Sequence, residues 1–476
     1  MIRRVLKDGI IYTIPVLVTQ GISLLLLPIY TRILSPEQYG ALDILLLSFI
    51  IVHIVIGLEI SQGIARYYSD TQHEKEKIVY ASSAWWFIVF FYLVFFLLAF
   101  FFAAPLATML LGESGYTVIL QMAVVCSSIA GLFSFVLNQY RWSFKSKEYA
   151  ALSILASILS SVCALFFAVY KDLGLLGILL GMSAGTGVAL MIGLIGLRKT
   201  FLFTFDKAKL ADMLAFSFPL VPAGLAFFVS SYIDRLMINH YLSLEDVAIY
   251  SVGNKIATIG LLAMVGFQGA LTPLIYTQYR SPETAKKIGF LFKWFMIASL
   301  LCYVLVNMFA KEIIQILATP NYYAASTLLI VLIPAILFNK MYIFAPGLSI
   351  AKKTSRILLI QILGACINLF GNTLFIPYFG YMGAAISTLV SAGLVFFFYI
   401  HQSKKYYTIA YQGRPLIMLS LVAVCCSLYI QFISTQTGGV LWLVRIGIIT
   451  LFLYCIVLFR ITSIKEVTQR IIQYKK

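Results

Sequence analysis

Apolar residues run along this chain in long blocks separated by short polar and charged segments. Blocks of spanning length fall at about 9–30, 41–63, 79–103, 116–137, 150–170, 173–197, 213–234, 246–270, 288–309, 325–348, 357–377, 381–400, 415–434 and 440–460. A membrane-crossing helix needs about 20 apolar residues. In hydrocarbon every backbone polar group must be satisfied within the protein, so runs of this length are helices. The pattern predicts an all-α polytopic membrane protein with about 14 transmembrane helices. No hydrophilic stretch exceeds about 20 residues, so no soluble domain is expected. The first block follows Arg3, Arg4 and Lys7, is too long for a signal-peptide core and lacks a clear small-x-small cleavage site. It is expected to be a retained first helix.

Composition narrows the classes further. Of 476 residues, 61% are apolar and 11% are charged, against about 25% charged in a soluble domain. Too few charges are available to coat a soluble core this apolar, which excludes a soluble enzyme, a disordered chain and a nucleic-acid-binding protein. The net charge of +17 instead reports orientation. The N-terminus, the alternate loops 64–78, 138–149, 198–212, 271–287, 349–356 and 401–414, and the tail from Arg460 hold 27 of the 35 Lys and Arg. The opposite loops hold only Arg32, Lys171, Arg235 and Lys311. Basic loops stay inside, so both termini are expected in the cytoplasm, in agreement with an even number of spans. The cysteines Cys126, Cys163, Cys302, Cys366, Cys425, Cys426 and Cys455 all lie in apolar runs without metal-ligand spacing and are expected to be small buried hydrophobes.

An internal repeat organises the spans. Leu34–Gly40 (LSPEQYG) follows span 1 and Leu242–Ala248 (LSLEDVA) follows span 7. Pro15 matches Pro219, and Gly174, Gly177 and Gly187 have the spacing of Gly380, Gly383 and Gly393. A repeat of about six helices begins and ends on one side, so its copies have the same topology and are related by an axis along the membrane normal. The expected domains are six-helix lobes at 1–205 and 206–405, with helices 13–14 and a cytoplasmic tail at 406–476. Two lobes flanking a cavity is transporter architecture. Pro15, Pro219, Pro222 and Pro334 are candidate bending points.

Ionisable groups inside spans are costly and face the protein interior or water. Glu59, Gln62 and Arg66 have i, i+3, i+7 spacing in span 2 and would share one face, lining one cavity wall. Snorkelling is the competing reading for Arg66. Asp43 reads as interfacial, Asp234–Arg235 as either a local ion pair or a site, and His53 as a hydrogen-bonded core histidine. Lys255 lies about nine residues into span 8, roughly 13 Å deep, too deep for easy escape. Lys340 is about two turns from the cytoplasmic end of span 10, while Lys293 and Arg445 are expected to snorkel, and Arg32 ends span 1. Trp85 and Trp86 are expected to face lipid, and Tyr67 and Tyr250 are candidates for stacking on sugar rings. The embedded balance is basic, which favours an anionic ligand such as phosphate or pyrophosphate.

The segments Leu25–Ile44 (LLLPIYTRILSPEQYGALDI), Gly57–Asp70 (GLEISQGIARYYSD) and Phe216–Ala257 resemble the bacterial Wzx-type O-antigen and capsule flippases of the MOP superfamily, whose fold is similar to that of MATE transporters. The resemblance covers essentially the whole chain. It implies a polyprenyl (undecaprenyl)-pyrophosphate-linked oligosaccharide as substrate, carried across the cytoplasmic (inner) membrane for O-antigen, capsule or lipopolysaccharide synthesis. It also implies a polysaccharide polymerase and chain-length regulator as partner proteins, with no nucleic acid and no cofactor. It places Arg32, Arg66, Asp234, Arg235 and Lys255 in or near a cationic cavity, with Lys340 as a further basic candidate. Glu59 and Asp234 are the candidates for coupling to protons or sodium. Two rival readings are a multidrug antiporter of the same fold and a membrane-embedded polymerase or glycosyltransferase. The first wants an acidic cavity. The second usually carries a sizeable outer loop, whereas the longest here is about 15 residues and no convincing D-x-D metal site is present.

Overall fold

The computed structural model describes residues 2–71, 73–259, 275, 281–409, 411, 413–433 and 439–458. The end of expected span 8 (260–270), most of the 271–287 loop and the C-terminal tail from 459 lie outside the described residues. Among the described residues, 12 helices are long and apolar enough to cross a membrane, with a shorter apolar helix at Trp442–Leu458. The expected count of 14 therefore holds approximately, and the protein is a multi-pass helical membrane protein. Contacts divide the chain into two compact units, Met1–Ser251 and Val252–Lys476. The segment 206–251 thus packs with the first unit. The sequence repeat places its boundary earlier, at 205/206.

In the first unit, α1 (Ile2–Ile33) carries Pro15 and Pro28 within the helix. Ser35 then starts α2 (Pro36–Gly57) with a reciprocal cap: its hydroxyl accepts from the Gln38 N–H while the Gln38 side chain accepts from the Ser35 N–H. Such a cap satisfies two backbone donors that the helix leaves without partners. Expected span 2 is not one helix. Leu58 (φ 46°) and Glu59 (φ 51°) are both left-handed, and α3 (Ile60–Asp70) begins afresh after them. Two consecutive non-glycine residues in this region cost roughly 1–3 kcal/mol each, so surrounding packing must hold the break. Ile60 and Ile64 supply part of that packing, buried against Trp85, Ile88 and Met213.

Further along come α4 (Glu74–Phe101), α5 (Ala103–Leu111), α6 (Thr117–Trp142), α7 (Ser146–Leu165) and α8 (Gly174–Gly196). Trp85 does not face lipid. It is buried, with its ring stacked at 4.9 Å on Phe201. Trp86 is half-buried and donates its indole N–H to the Leu202 carbonyl at 2.9 Å. The reason is local. The loop after α8 folds back on α4, where the Ser82 hydroxyl donates to Thr200 and accepts from the Leu202 N–H, while Ser83 accepts from Asp206. His53 is a hydrogen-bonded core residue, with Nδ1 3.1 Å from the Tyr92 hydroxyl. The unit closes with α9 (Lys207–Ser217), α10 (Val221–Tyr241) and the first half of α11 (Leu244–Ile259). Pro219 sits in the 3-10 turn that joins α9 to α10, and Pro222 lies in the first turn of α10.

The second unit contains α12 (Pro282–Met308), α13 (Ala310–Leu317), α14 (Ala325–Lys340), α15 (Thr354–Phe379), α16 (Tyr381–Lys404), α17 (Gly413–Ile433) and α18 (Gly439–Leu458). Helices α15 and α16 pair through polar groups: Ser387 donates to the Asn368 carbonyl at 2.8 Å and Ser391 to the Gly364 carbonyl at 2.7 Å. In the first unit the corresponding hairpin is α7–α8. Its second helix starts at Gly174 (φ 50°), just as α16 starts after Gly380 (φ 60°). The repeated glycines therefore do the same job, supplying a left-handed backbone that side chains resist. The cysteines are all free, and only Cys126, Cys426 and Cys455 are buried. Cys302, Cys366 and Cys425 lie on exposed helix faces, because a membrane protein turns its apolar residues outward as well as inward.

Candidate functional site

Three elements of the first unit bring charge together inside the bundle. Asp43 lies two turns into α2, Asp234 and Arg235 lie on α10, and Tyr250 and Ser251 lie on α11. Helix α11 starts as α2 does, with a serine cap: Ser243 accepts from the Asp246 N–H and donates to its carboxylate at 2.7 Å. The two capped starts then meet. A Cβ on Gly40 would stand 1.9 Å from the Leu244 carbonyl oxygen, so only glycine permits this approach. The Ser251 hydroxyl donates to Asp43 at 2.6 Å. Leu34 matches Leu242, so Asp43 and Ser251 occupy equivalent places in the two sequence repeats. Equivalent residues touching each other is the geometry of a self-complementary contact.

Arg235 completes the cluster, with Nε 3.4 Å from the Asp43 carboxylate. Its guanidinium also lies 6.0 Å over the Tyr232 ring. Beside it, the Tyr250 hydroxyl donates to Asp234 at 2.8 Å. Asp43 and Asp234 are 8% and 5% exposed, so neither reaches bulk solvent freely. Charges buried this deeply persist only when paired and hydrogen-bonded. Asp43 is therefore a buried, paired group. The arginine pairs across helices with Asp43, and Tyr250 is buried against Asp234 with no free face for a sugar. The signal in the sequence was the repeat itself, which aligns Asp43 with a hydroxyl-bearing residue.

The other expected residues stand apart from this cluster. Glu59 immediately precedes α3 in a left-handed position without a side-chain capping bond, and one carboxylate oxygen lies 3.2 Å from where a Cβ on Gly224 of α10 would be. The expected i, i+3, i+7 face fails at its first member, because the break removes Glu59 from the helix. Gln62 and Arg66 do share the exposed face of α3, with Arg66 5.1 Å over the Phe216 ring. Tyr67 stacks on Tyr80 at 5.6 Å. Arg32 is exposed at the end of α1 and donates to the Pro28 carbonyl at 2.5 Å. In the second unit, Lys255 is half-buried on α11 and Lys340 is exposed as the last residue of α14.

Two second-unit cations expected to snorkel are instead buried. Lys293 lies inside with its ammonium 5.7 Å from the Phe290 ring centroid. Arg445 is 5% exposed and pairs with Glu312 of α13. Its guanidinium also lies over Phe309 at 4.8 Å and Trp442 at 5.3 Å. A planar guanidinium held by two rings and a carboxylate does not need to reach the interface.

The helical membrane fold is MATE-like. The structure of lipid II flippase MurJ in an inward closed conformation superposes with a TM-score of 0.75 at 13% identity, covering 95% of this chain and 99% of that one. An inward-facing multidrug resistance MATE family transporter of the MOP superfamily gives 0.66 at 14% identity, covering 84% and 95%. These likenesses define the fold. The family model for polysaccharide biosynthesis proteins matches residues 5–278, and the MatE model matches residues 219–374. The chain belongs to the polysaccharide biosynthesis protein family. Among curated relatives, the succinoglycan biosynthesis transport protein ExoT of Rhizobium meliloti (strain 1021) is 27% identical over 262 residues, 54% of this chain and 50% of that protein. The Lsg locus putative protein 1 of Haemophilus influenzae is 22% identical over 310 residues, 63% of this chain and 72% of that protein. The chain thus spans about half the length of the first of these relatives.

Proposed function

We propose that this protein is a flippase of the bacterial cytoplasmic membrane. It moves a polyprenyl-pyrophosphate-linked oligosaccharide from the cytoplasmic to the outer leaflet by alternating access, with both termini inside. The reading rests on one observation above the others, the polysaccharide-biosynthesis family match over residues 5–278. A relative named as a succinoglycan transport protein and the MurJ-like fold support it. The pyrophosphate is held by Lys255, Arg66, Arg32 and Lys340, and by Arg235 when it exchanges Asp43 for the ligand. Point charges and guanidinium forks suit phosphate oxygens. Glu59 or Asp234 carries the coupling proton or sodium ion. Glu59 sits at a helix break, where transporters commonly place coupling ions. A polymerase and a chain-length regulator consume the product on the outer side. The lobes that rock are the six-helix repeats 1–205 and 206–405.

The test is flipping of a polyprenyl-pyrophosphate oligosaccharide in proteoliposomes with imposed gradients. Lys255→Ala is expected to lower the rate at least about tenfold, the loss of one charge-assisted contact. Glu59→Gln is expected to abolish the response to a proton or sodium gradient. Full activity in Lys255→Ala would overturn anion capture, and indifference of the native protein to both gradients would overturn coupling.

A further inference from the structure

The Arg445–Glu312 pair borders a cavity of ≈ 60 Å³ within the second unit, walled by α12, α13, α14, α17 and α18. Its polar lining includes Lys311, Glu312, Ser427, Gln431 and Arg445. None of the residues assigned above to substrate or coupling ion takes part. Among the described residues, Arg445 Nε and one Glu312 oxygen are buried without a hydrogen-bond partner. Leaving a buried donor unmatched costs roughly 1–3 kcal/mol, and the Arg445 Nε–H calls for an acceptor as occupant.

We infer that this cavity binds a single phosphate-class oxyanion, carried by a lipid head group or free in solution. Lys311 and Arg445 against Glu312 leave the lining with one net positive charge. The rings of Phe309 and Trp442 fix the plane of the guanidinium, and its Nε–H is not used by the contact with Glu312. The volume, ≈ 60 Å³, equals that of about two waters at ~30 Å³ each. That suits one phosphate group and is too small for a sugar ring. The cavity sits where α12 ends at Met308 and α18 has just begun, the level of a helix terminus, where lipid phosphates lie. Trp442 on α18 is exposed, as an interfacial anchor would be.

The experiment places the full chain in nanodiscs of phosphatidylcholine, of phosphatidylcholine with phosphatidylglycerol, and of phosphatidylcholine with radiolabelled inorganic phosphate in the buffer. Bound lipid is read by native mass spectrometry and bound phosphate by retained label. The native protein is expected to retain one phosphatidylglycerol, which assigns the lipid source, or one phosphate, which assigns the free ion. Arg445→Gln is expected to weaken that binding about tenfold or more. Glu312→Gln/Arg445→Gln leaves no lone buried charge, so it should stay folded by gel filtration and show the same weakening. Retention of neither anion by the native protein, or native-strength binding by the folded double variant, would overturn the site.

Discussion

Among the described residues, each unit buries one arginine–carboxylate pair, and the two are built differently. Asp43–Arg235 is enclosed on both sides: the side chains are 10% and 11% exposed, and Ser251 adds a second donor to the carboxylate. In Glu312–Arg445 only the arginine is enclosed, at 7%, while the glutamate side chain is 42% exposed. The first pair is satisfied by its neighbours and has no water to fall back on. The second retains an unmatched donor and acceptor beside a cavity. The same two functional groups therefore serve different ends. The first joins helices α2 and α10 through fully matched groups, and the second leaves a guanidinium edge unmatched.

The largest expected effect comes from removing the enclosed cation. Arg235→Ala strands Asp43 in a dry interior and should cost about 3–5 kcal/mol, read as a lower denaturation midpoint of the purified protein. A loss below about 1 kcal/mol would put this pair among exposed ones and erase the contrast. Ser251→Ala removes a donor to a charged acceptor and should cost roughly 1.5–3 kcal/mol. No change would mean that the meeting of the two repeats at Asp43 carries no energy. The smallest effect is expected at Arg445→Gln, about 1 kcal/mol, because Glu312 is partly hydrated already. Adding Glu312→Gln should return most of that loss. If the pair instead proved as costly to break as Asp43–Arg235, the contrast between the two would be lost.

Much of this was readable from the chain. The apolar blocks became helices, and the repeated LSPEQYG and LSLEDVA segments became matching serine-capped helix starts. Gly174 and Gly380 became matching left-handed turns. The candidate site was legible only in part. Asp234 and Arg235 were visible as embedded charges, but an i, i+1 pair on a helix points in two directions, so the arginine's partner came from α2. Glu59 illustrates the opposite failure. Its spacing to Gln62 and Arg66 was helical, yet neither Leu58 nor Glu59 is a residue type that announces a left-handed break. Such a break is imposed by packing around Ile60 and Ile64.

Membership of a class and number of spans are properties of composition and block length, because the bilayer sets a single requirement along the whole chain: about 20 apolar residues with internally satisfied backbone. The sequence determined the class without help and the number of spans approximately. Which embedded charges meet is another matter. An ion pair across α2 and α10, or across α13 and α18, depends on helix rotation and closeness. Those follow from packing between residues nearly 200 and more than 130 positions apart. Only the tertiary structure decided that Asp43 would find Arg235 and Ser251, and that Arg445 would turn inward to Glu312.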